Sequence, residues 1–403
     1  MKYVVFLGDG MADQPLEQLG GRTPLEVARK PHLDELARSG LTGMVRTVPP
    51  GMKPGSDNAN LSVLGYDPLT CYTGRSPLEA VSMGVELQEG DVTYRCNLVT
   101  LSEDLPFEDK VMLDYSGGEI STPEAEALIR TLSEAFDDEK RALFPGVSYR
   151  HCLRWRGAVP GRTELTPPHD ISDRPIGGFL PKGENAGVLE DLMRRSFELL
   201  KDHPVNAARR ARGQRPANCC WFWGEGTKPK LTSFREKTGL SGAVISAVDL
   251  VKGIGLLAGM EVIEVEGATG NLDTNFRGKG EAAVRALRDH DFVYIHMEAP
   301  DECGHHGDAA GKIRAIELID ELVVGPVTEA LQKIGPVSVM ALPDHATPLA
   351  RKTHTAEPVP FLIWRSTAPR KNPVSGYSER EGEKSGILIE PGCTLMDLFL
   401  KGS

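Results

Sequence analysis

The residues best suited to bind a metal ion are concentrated in one segment of the sequence. Of ten histidines, five fall in this segment together with three aspartates: His296, His305, His306, His345, His354, Asp301, Asp308 and Asp344. A mixture of imidazole and carboxylate suits Mn²⁺ or Zn²⁺ better than Mg²⁺ alone. The spacing of Asp301 and His305 suits one face of a helix, although Pro300 and Gly304 also permit a tight loop. We interpret His296, inside an apolar run, as a hydrogen-bonded interior or supporting residue.

A candidate nucleophile precedes a short apolar segment nearer the N-terminus. Pro54 and Gly55 predict a turn that delivers Ser56 to the start of a helix. Free N–H groups and the dipole at a helix start favour an anion, including a phosphate carried on the serine itself. Serine is also the commonest cap at such a position, and it is a weak nucleophile without activation. The serine chemistry and the metal site therefore depend on each other.

Short β-branched or aromatic runs, separated by helix-like stretches, must position these side chains. The clearest strand candidates are residues 3–7, 243–247, 292–296, 337–342 and 359–364. This alternation is typical of a largely parallel α/β sheet. Polar residues directly follow the first four runs, namely Asp9, Asp249, Glu298 with Asp301, and Asp344 with His345. Because ligands bind beyond the carboxyl ends of such strands, the sequence predicts one shared site.

The sequence changes in character between about residues 90 and 225. Residues 92–101 are a long strand candidate, and residues 122–136 and 186–202 have the periodicity of amphipathic helices. Proline- and glycine-rich segments separate them. Because the strands with acidic or histidine ends lie on both sides, we predict a discontinuous metal-binding catalytic domain, residues 1–70 and 228–403. It carries an inserted substrate-binding domain, residues 71–227.

Composition argues against several classes of partner. The formal net charge of −11 disfavours phosphate backbones and anionic lipid surfaces, so we expect neither a nucleic acid nor a membrane partner. The longest apolar runs have the length of strands, and the N-terminus lacks a signal-peptide pattern. The seven cysteines are odd in number and include no C-x-x-C pair. We therefore expect a soluble, cytoplasmic protein with reduced cysteines.

Eight short segments carry a resemblance that runs nearly from end to end. They are LGDGM (7–11), GRTPLE (21–26), PGSD (54–57), LGYDP (64–68), YTGR (72–75), RCNLVT (95–100), D-x-x-G-H (301–305) and DH (344–345). On these segments the chain resembles the cofactor-independent phosphoglycerate mutases of the archaeal type, within the alkaline phosphatase superfamily. The resemblance implies an α/β fold with a three-layer, alkaline-phosphatase-like core, a mostly parallel sheet and a smaller inserted α/β domain.

The resemblance also implies two divalent metal ions, with Mn²⁺ preferred and Zn²⁺ or Mg²⁺ as alternatives. One ion would be held by Asp9, Ser56, Asp344 and His345, and the other by Asp301, His305 and His354. Ser56 would become a phosphoserine during interconversion of 3-phosphoglycerate and 2-phosphoglycerate. Lys252 would neutralise charge near the transferred phosphoryl group, although an ordinary surface lysine is an equal interpretation.

In the family, the inserted domain grips the phosphoglycerate with arginines and a general acid or base. The candidates for these roles are Arg95, Arg150, His151, Arg154, His169 and Asp170. Two positions depart from the family pattern: Trp223 stands where the archaeal type carries arginine, and Glu119 where many relatives carry a basic residue. Both changes weaken binding of a dianionic substrate. With Glu298-Ala-Pro-Asp301, they resemble a sister branch whose members have been proposed as homoserine kinases in threonine synthesis.

Three functions follow from these observations. The first is a phosphoglycerate mutase that acts on a small phosphorylated metabolite. The second keeps Ser56 and the metals but transfers phosphate to homoserine or to water. The third is a metal-binding regulatory protein without turnover, against which the complete set of seven predicted ligands argues. The sequence leaves the oligomeric state open, and a homo-oligomer is compatible with it.

Overall fold

The computed structural model describes residues 1–401. The strands, in chain order, are β1 (Lys2–Gly8), β2 (Leu41–Val45), β3 (Asp91–Leu101), β4 (Met112–Asp114), β5 (Arg141–Phe144), β6 (Arg150–Arg156), β7 (Thr163–Glu164), β8 (Lys182–Gly183), β9 (Cys219–Thr227), β10 (Gly242–Ile245), β11 (Glu261–Val262), β12 (Phe292–Met297), β13 (Val337–Leu342), β14 (Val359–Arg365) and β15 (Leu388–Ile389).

The α-helices, in chain order, are α1 (Pro24–Val27), α2 (Pro31–Arg38), α3 (Ser56–Val63), α4 (Pro68–Cys71), α5 (Ser76–Ser82), α6 (Thr122–Phe136), α7 (Ala186–Leu200), α8 (Pro204–Ala211), α9 (Phe234–Thr238), α10 (Asp249–Leu257), α11 (Phe276–Asp289), α12 (Ala299–His306), α13 (Ala309–Ile319), α14 (Gly325–Ile334), α15 (Glu379–Lys384) and α16 (Leu395–Lys401). Short 3₁₀ turns and one π-helical turn, Asp320–Val324, complete the regular structure. Among the described residues, no helix has the length and apolar character that crossing a bilayer requires.

The chain divides into two units, residues 1–72 with 230–401, and residues 73–229. The first unit is built on a sheet with the strand order β11-β10-β12-β1-β13-β14-β2-β15. Strand β14 runs antiparallel to β13 and β2, and the other neighbouring pairs are parallel. The predicted α/β fold with a mostly parallel sheet is confirmed.

The central strands of this sheet are buried on both faces. Every residue of β12 and β13 is buried, as is usual for parallel strands that helices cover on either side. Gly8 of β1 pairs with Met297 of β12, and Leu7 pairs with Leu342 of β13. Since the three parallel strands end level with one another, the loops that follow them meet at one edge of the sheet. This is the edge at which the sequence predicted a shared site.

The second unit, residues 73–229, has its own antiparallel sheet and its own apolar core. Strand β3 pairs with β4, β6 and β9, and β6 pairs with β5. Helices α6 and α7 contribute side chains to the core of this unit. The helix predicted at residues 122–136 occurs with those bounds, and the one predicted at 186–202 ends at Leu200.

A buried ion pair joins helix α13 to the loop that follows β1. The Lys312 ammonium lies 2.7 Å from Asp13 Oδ2 and donates to the carbonyl oxygens of Ala12 and Thr347, with both charged side chains fully buried. The backbone N–H of Asp13 donates to Glu379 Oε1. Because a buried charge without a partner is costly, these bonds hold the chain on both sides of the sheet edge in one arrangement.

The pKa of Glu379 leads to a prediction about stability. Burial raises this pKa from 4.5 to about 7, so folding favours the protonated carboxyl. The resulting stability is present below the ordinary pKa and is lost as pH rises through about 7. We expect Glu379→Gln, which keeps an acceptor for the N–H of Asp13, to gain stability relative to the wild type by on the order of 2 kcal/mol between pH 5 and pH 8.

Denaturant unfolding of both proteins across this pH range provides the measurement. The exposed Glu383→Gln on the same helix serves as the control for loss of a surface carboxylate. A difference between wild type and Glu379→Gln that is constant with pH would contradict the assignment.

Candidate active site and metal centre

The candidate nucleophile sits at the start of a helix, as the sequence predicts. Ser56 is the first residue of α3 and is half-buried. Its Oγ lies 3.1 Å from His345 Nε2 and 3.4 Å from Asp9 Oδ2. These two residues follow β13 and β1 respectively, so the parallel sheet edge delivers both of them to the serine.

Helix α12 presents a second group of side chains. It has Pro300 in its first turn and is followed by Gly307, whose φ of 73° suits a residue without a side chain. The helix settles the alternative between helix and loop, and it places Asp301 and His305 one turn apart. His305 Nε2 lies 3.3 Å from Asp301 Oδ2, and His354 Nε2 lies 3.4 Å from Asp301 Oδ1. The two histidine Nε2 atoms are themselves 2.9 Å apart.

Ligand atoms come together in three overlapping groups, each with its atoms within 4.8 Å of one another. The groups are Asp301 with His305 and His354, Asp9 with His296 and Asp344, and Asp9 with Asp301 and His345. All predicted ligand residues therefore lie in one region of the first unit. The structure adds His296 to that region and leaves His306 and Asp308 outside these groups.

The fully buried His296 is hydrogen-bonded, as its place in an apolar strand predicts. Its Nε2 lies 2.8 Å from Asp9 Oδ2, and its Nδ1 lies 3.2 Å from Ser246 Oγ. Burial lowers the pKa of His296 to about 4, so the ring is neutral at pH 7. A neutral ring whose Nε2–H donates to a carboxylate orients that carboxylate, and His296 thereby fixes Asp9.

The three buried carboxylates Asp9, Asp301 and Asp344 create an electrostatic problem that a cation would solve. The pKa of Asp9 is raised well above its ordinary value, first by burial and then by the charges of Asp344 and Asp301. Asp9 Oδ1 has no hydrogen-bond partner among the described residues. A buried carboxylate oxygen without a donor, surrounded by other carboxylates and imidazoles, fits the donor set of a divalent metal ion.

In the group of Asp301, His305 and His354, the histidines lower the pKa of the carboxyl group. Burial disfavours ionisation of Asp301, but hydrogen bonds from His305 and His354 outweigh it and hold the pKa of Asp301 well below its ordinary value. The same bond to Asp301 raises the pKa of His305 to about 9. Without a metal ion, the protein therefore compensates Asp301 with a proton on His305. Metal binding would have to displace that proton.

The hydroxyl of Thr347 contacts two of the predicted ligands, Asp301 and His345. It donates to Asp301 Oδ1 and lies 3.3 Å from His345 Nδ1. Because the hydroxyl has a single proton, its contact with His345 requires the ring to donate from Nδ1. The electron pair of His345 is then on Nε2, the atom that faces Ser56. Thr347 thus favours the His345 tautomer that can bind a metal through Nε2.

A buried side-chain amide is hydrogen-bonded to both Ser56 and Asp344. Asn60 Nδ2 donates to the carbonyl oxygen of Ser56 and, at 2.9 Å, to Asp344 Oδ2. Its Oδ1 accepts from the hydroxyl of Tyr294 at 2.6 Å. Asn60 was not among the residues predicted from the sequence, although its position four residues after Ser56 on the predicted helix places both on one face.

The remaining predicted residues are Lys252, in the first unit, and the candidates of the second unit. The Lys252 ammonium lies 2.8 Å from both carboxylate oxygens of Glu264. In the second unit, Arg95 and Arg154 share one face of β3 and β6, since their strand positions alternate with those of His151. His151 lies inside the core, where burial lowers its pKa to about 3. The structure therefore separates His151 from the arginines with which it was grouped.

The remaining candidates lie along the same arginine face. The Arg150 guanidinium lies 4.4 Å from the Tyr149 ring centre. The half-exposed His169 contacts the Trp223 ring edge to face at 5.2 Å, and its Nε2 lies 3.6 Å from Asp170. The surroundings of His169 are therefore aromatic on one side and acidic on the other.

The role of Thr347 can be tested by an isosteric substitution. We expect Thr347→Val to weaken Mn²⁺ binding about tenfold, because it removes the hydroxyl that orients both Asp301 and His345. Thr347→Ser keeps the hydroxyl and serves as the matched control. Competition of each protein with a metal-binding dye gives the affinity, and equal affinities for all three proteins would contradict this role.

Comparison with known proteins places the chain in a family. A sequence model described as 2,3-bisphosphoglycerate-independent phosphoglycerate mutase matches residues 37–206. A probable enzyme of that name from Geobacter sulfurreducens is 51% identical over 99% of this chain and 100% of its own. The enzyme of that name from Methanosarcina mazei is 46% identical over 100% of both chains.

Solved structures agree with these sequence matches. A Pyrococcus horikoshii protein superposes with a TM-score of 0.82 at 29% identity, covering 99% of this chain and 96% of its own. The cofactor-independent phosphoglycerate mutase from Thermoplasma acidophilum superposes with a TM-score of 0.67 at 26% identity, covering 100% and 99%. From the full-length identity to its relatives, the chain belongs to the family of 2,3-bisphosphoglycerate-independent phosphoglycerate mutases.

Proposed function

We propose that this chain interconverts 3-phosphoglycerate and 2-phosphoglycerate by passing the phosphoryl group through Ser56. One observation carries the proposal: Ser56 Oγ lies within 3.4 Å of both His345 Nε2 and Asp9 Oδ2. A serine hydroxyl enclosed by potential metal ligands is the arrangement that a metal-activated nucleophile needs. The membership of the chain in a phosphoglycerate mutase family supplies the substrate.

The donor atoms fit two divalent ions. One set comprises Asp301, His305 and His354, and the other comprises Asp9, Ser56, Asp344 and His345. The combination of imidazole with carboxylate favours Mn²⁺, with Zn²⁺ and Mg²⁺ as alternatives. When bound, such ions would lower the pKa of the serine hydroxyl and neutralise charge on the phosphoryl oxygens.

The chain's own residues then determine the course of the transfer. The Ser56 hydroxyl loses its proton, and its Oγ forms a bond to the phosphorus of 3-phosphoglycerate as the bond from phosphorus to the C3 oxygen breaks. The C3 oxygen takes up a proton, which leaves glycerate and a phosphoserine. The start of α3 favours the negative charge of that phosphoserine. The C2 hydroxyl of the same glycerate then takes the phosphoryl group and frees Ser56. Asn60 holds the carbonyl of Ser56 throughout.

The second unit is proposed to bind the glycerate between the two transfers. Arg95, Arg150 and Arg154 lie at alternating positions on one face of β3 and β6, where guanidinium groups can pair with carboxylate and phosphate. His169 and Asp170 at the same face are candidates for proton transfer. Retention of glycerate distinguishes a mutase from a phosphatase, because loss of glycerate leaves only hydrolysis of the phosphoserine.

We also propose that the reaction takes place in the cytoplasm. All seven cysteines are free in the structure, and six of them are buried. Thiols that remain unpaired are typical of a reducing compartment, where the small phosphorylated metabolites of central metabolism also occur. The lack of disulfides supports this location together with the acidic composition.

The nucleophile is tested by removing its hydroxyl. We expect Ser56→Ala to lower kcat for phosphoglycerate isomerisation by more than about a thousandfold, because no covalent intermediate can form. Ser62→Ala is the matched control on α3, since Ser62 Oγ has no hydrogen-bond partner among the described residues. Isomerisation assays, with phosphopeptide mapping after substrate addition, provide the measurement. Turnover by Ser56→Ala within tenfold of the wild type refutes the mechanism.

The metals are tested by removing and restoring them. We expect a chelator to abolish isomerisation and Mn²⁺ to restore it best among Mn²⁺, Zn²⁺ and Mg²⁺. Elemental analysis of the active protein should find two divalent ions per chain. Full activity of metal-free protein contradicts the proposal.

The same assay identifies the acceptor. Wild type that forms 2-phosphoglycerate without free phosphate acts as a mutase. Release of phosphate alone, or transfer to homoserine from ATP without isomerisation, would assign the alternative reactions to the same core.

A further inference from the structure

In the second unit, the guanidinium of Arg95 is held on two sides. Its Nε lies 2.7 Å from Glu79 Oε2, and its Cζ lies 4.0 Å from the centre of the Trp223 ring. The two strands that carry Arg95 and Trp223 pair with these residues directly opposite each other. The Arg95 side chain is only 11% exposed. An arginine in this position has one edge and one face occupied by fixed partners.

Trp223 is itself fixed. Its indole Nε1–H donates to Asn97 Oδ1 at 2.9 Å, and Asn97 Nδ2 donates to the carbonyl oxygen of Tyr115 at 3.0 Å. The His169 ring packs on the indole at 5.2 Å. Because its polar end is bonded and its faces are in contact, the indole has little rotational freedom. It therefore provides a rigid surface for the guanidinium.

The surrounding charges leave Arg95 able to bind an anion. The buried Glu79 carboxylate also pairs with Arg75, at 2.7 Å, so one negative group serves two guanidinium groups. Burial disfavours ionisation of Glu79, but the charges of Arg95 and then Arg75 outweigh it and lower its pKa. Burial lowers the pKa of Arg95 to about 10, so the guanidinium stays charged at pH 7. The charged Arg95 thus shares its carboxylate partner with a second guanidinium group.

A positive side chain in place of Trp223 would repel the Arg95 guanidinium, which the indole ring attracts. An arginine there would bring a second guanidinium against the first, with no additional carboxylate to compensate it among the contacts of Arg95. The indole instead presents the negative face of its π system to the cation. An aromatic ring at this position thus holds the Arg95 guanidinium without adding a second positive charge beside it.

We propose that Trp223 is a positioning residue that, with Glu79, fixes the Arg95 guanidinium so that its remaining N–H groups bind an anionic group of the phosphoglycerate. The inference rests on the proposed function. Trp223 does not contact the substrate in this account. It acts through Arg95, because an oriented guanidinium loses less conformational entropy when it binds a carboxylate or phosphate.

Kinetics of Trp223 variants test the inference. We expect Trp223→Ala to raise KM for 3-phosphoglycerate about five- to tenfold, with kcat changed less than twofold. Trp223→Phe keeps an aromatic face and should recover most of the loss. Trp155→Leu is the matched control, since Trp155 lies in the same sheet and packs on Tyr94, and its KM should equal that of the wild type. Equal KM values for wild type and Trp223→Ala overturn the inference.

A double-mutant cycle shows whether Trp223 acts through Arg95. In an Arg95→Met background, Trp223→Ala should change KM less than twofold, because the group that it positions is gone. Arg75 remains as a partner for Glu79 in that background. A five- to tenfold effect of Trp223→Ala that persists without Arg95 overturns the proposed route.

A measurement without turnover separates this inference from the proposed function. The ¹⁵N–¹H resonance of Arg95 Nε should shift and exchange faster with solvent in Trp223→Ala, and it should stay close to the wild-type position in Trp155→Leu. If the wild type fails to isomerise phosphoglycerate, the proposed function fails, and with it the identity of the anion. If the wild type isomerises but the Arg95 resonance is unchanged in Trp223→Ala, the positioning role fails.

Discussion

The mutual repulsion of three buried carboxylates is the constraint on which this structure depends. Asp9, Asp301 and Asp344 are almost completely removed from solvent, and each faces at least one of the others. Burial of several like charges is tolerated only when cations, donors or protons compensate them. Imidazole rings, the Asn60 amide and the Thr347 hydroxyl supply part of that compensation. The unpartnered Asp9 Oδ1 marks the part that is left for metal ions.

The rest of the first unit can be understood as the support for this arrangement. Parallel strands that end level with one another bring three separate loops to one edge, so that ligands distant in the sequence meet there. The loops need fixed ends, and the Lys312 ammonium bonds the loop after β1 to the one after β13. A like-charged site is thus held together by a buried cation that is not part of it.

The sequence predicts the location of this site better than the hydrogen bonds between its residues. The strand-end positions of Asp9 and Asp344 are visible because apolar runs stop just before them. The apolar run around His296 indicates that this residue is buried, but it does not show which neighbour the ring contacts across the sheet. Similarly, the direction of β14 and the interior position of His151 depend on pairing between distant segments, which sequence periodicity does not encode.

The roles of the predicted substrate-binding residues are harder to derive from the sequence for a further reason. Their function depends on which groups compensate one another, and Glu79 neutralises part of the charge that a count of arginines would assign to the site. The departure at Trp223 shows the same limit. In the sequence, a tryptophan where a basic residue is expected suggests weaker anion binding, whereas the structure places the indole against Arg95.

The two units differ in the sign of the charge that each concentrates in its interior. The first unit buries more negative charge than its own donors compensate, which suits cations that in turn attract phosphate. The second unit places the guanidinium groups of Arg95 and Arg75 on one buried carboxylate, that of Glu79. In a chain with a net charge of −11, such local compensation, and not the overall charge, decides which anion is bound.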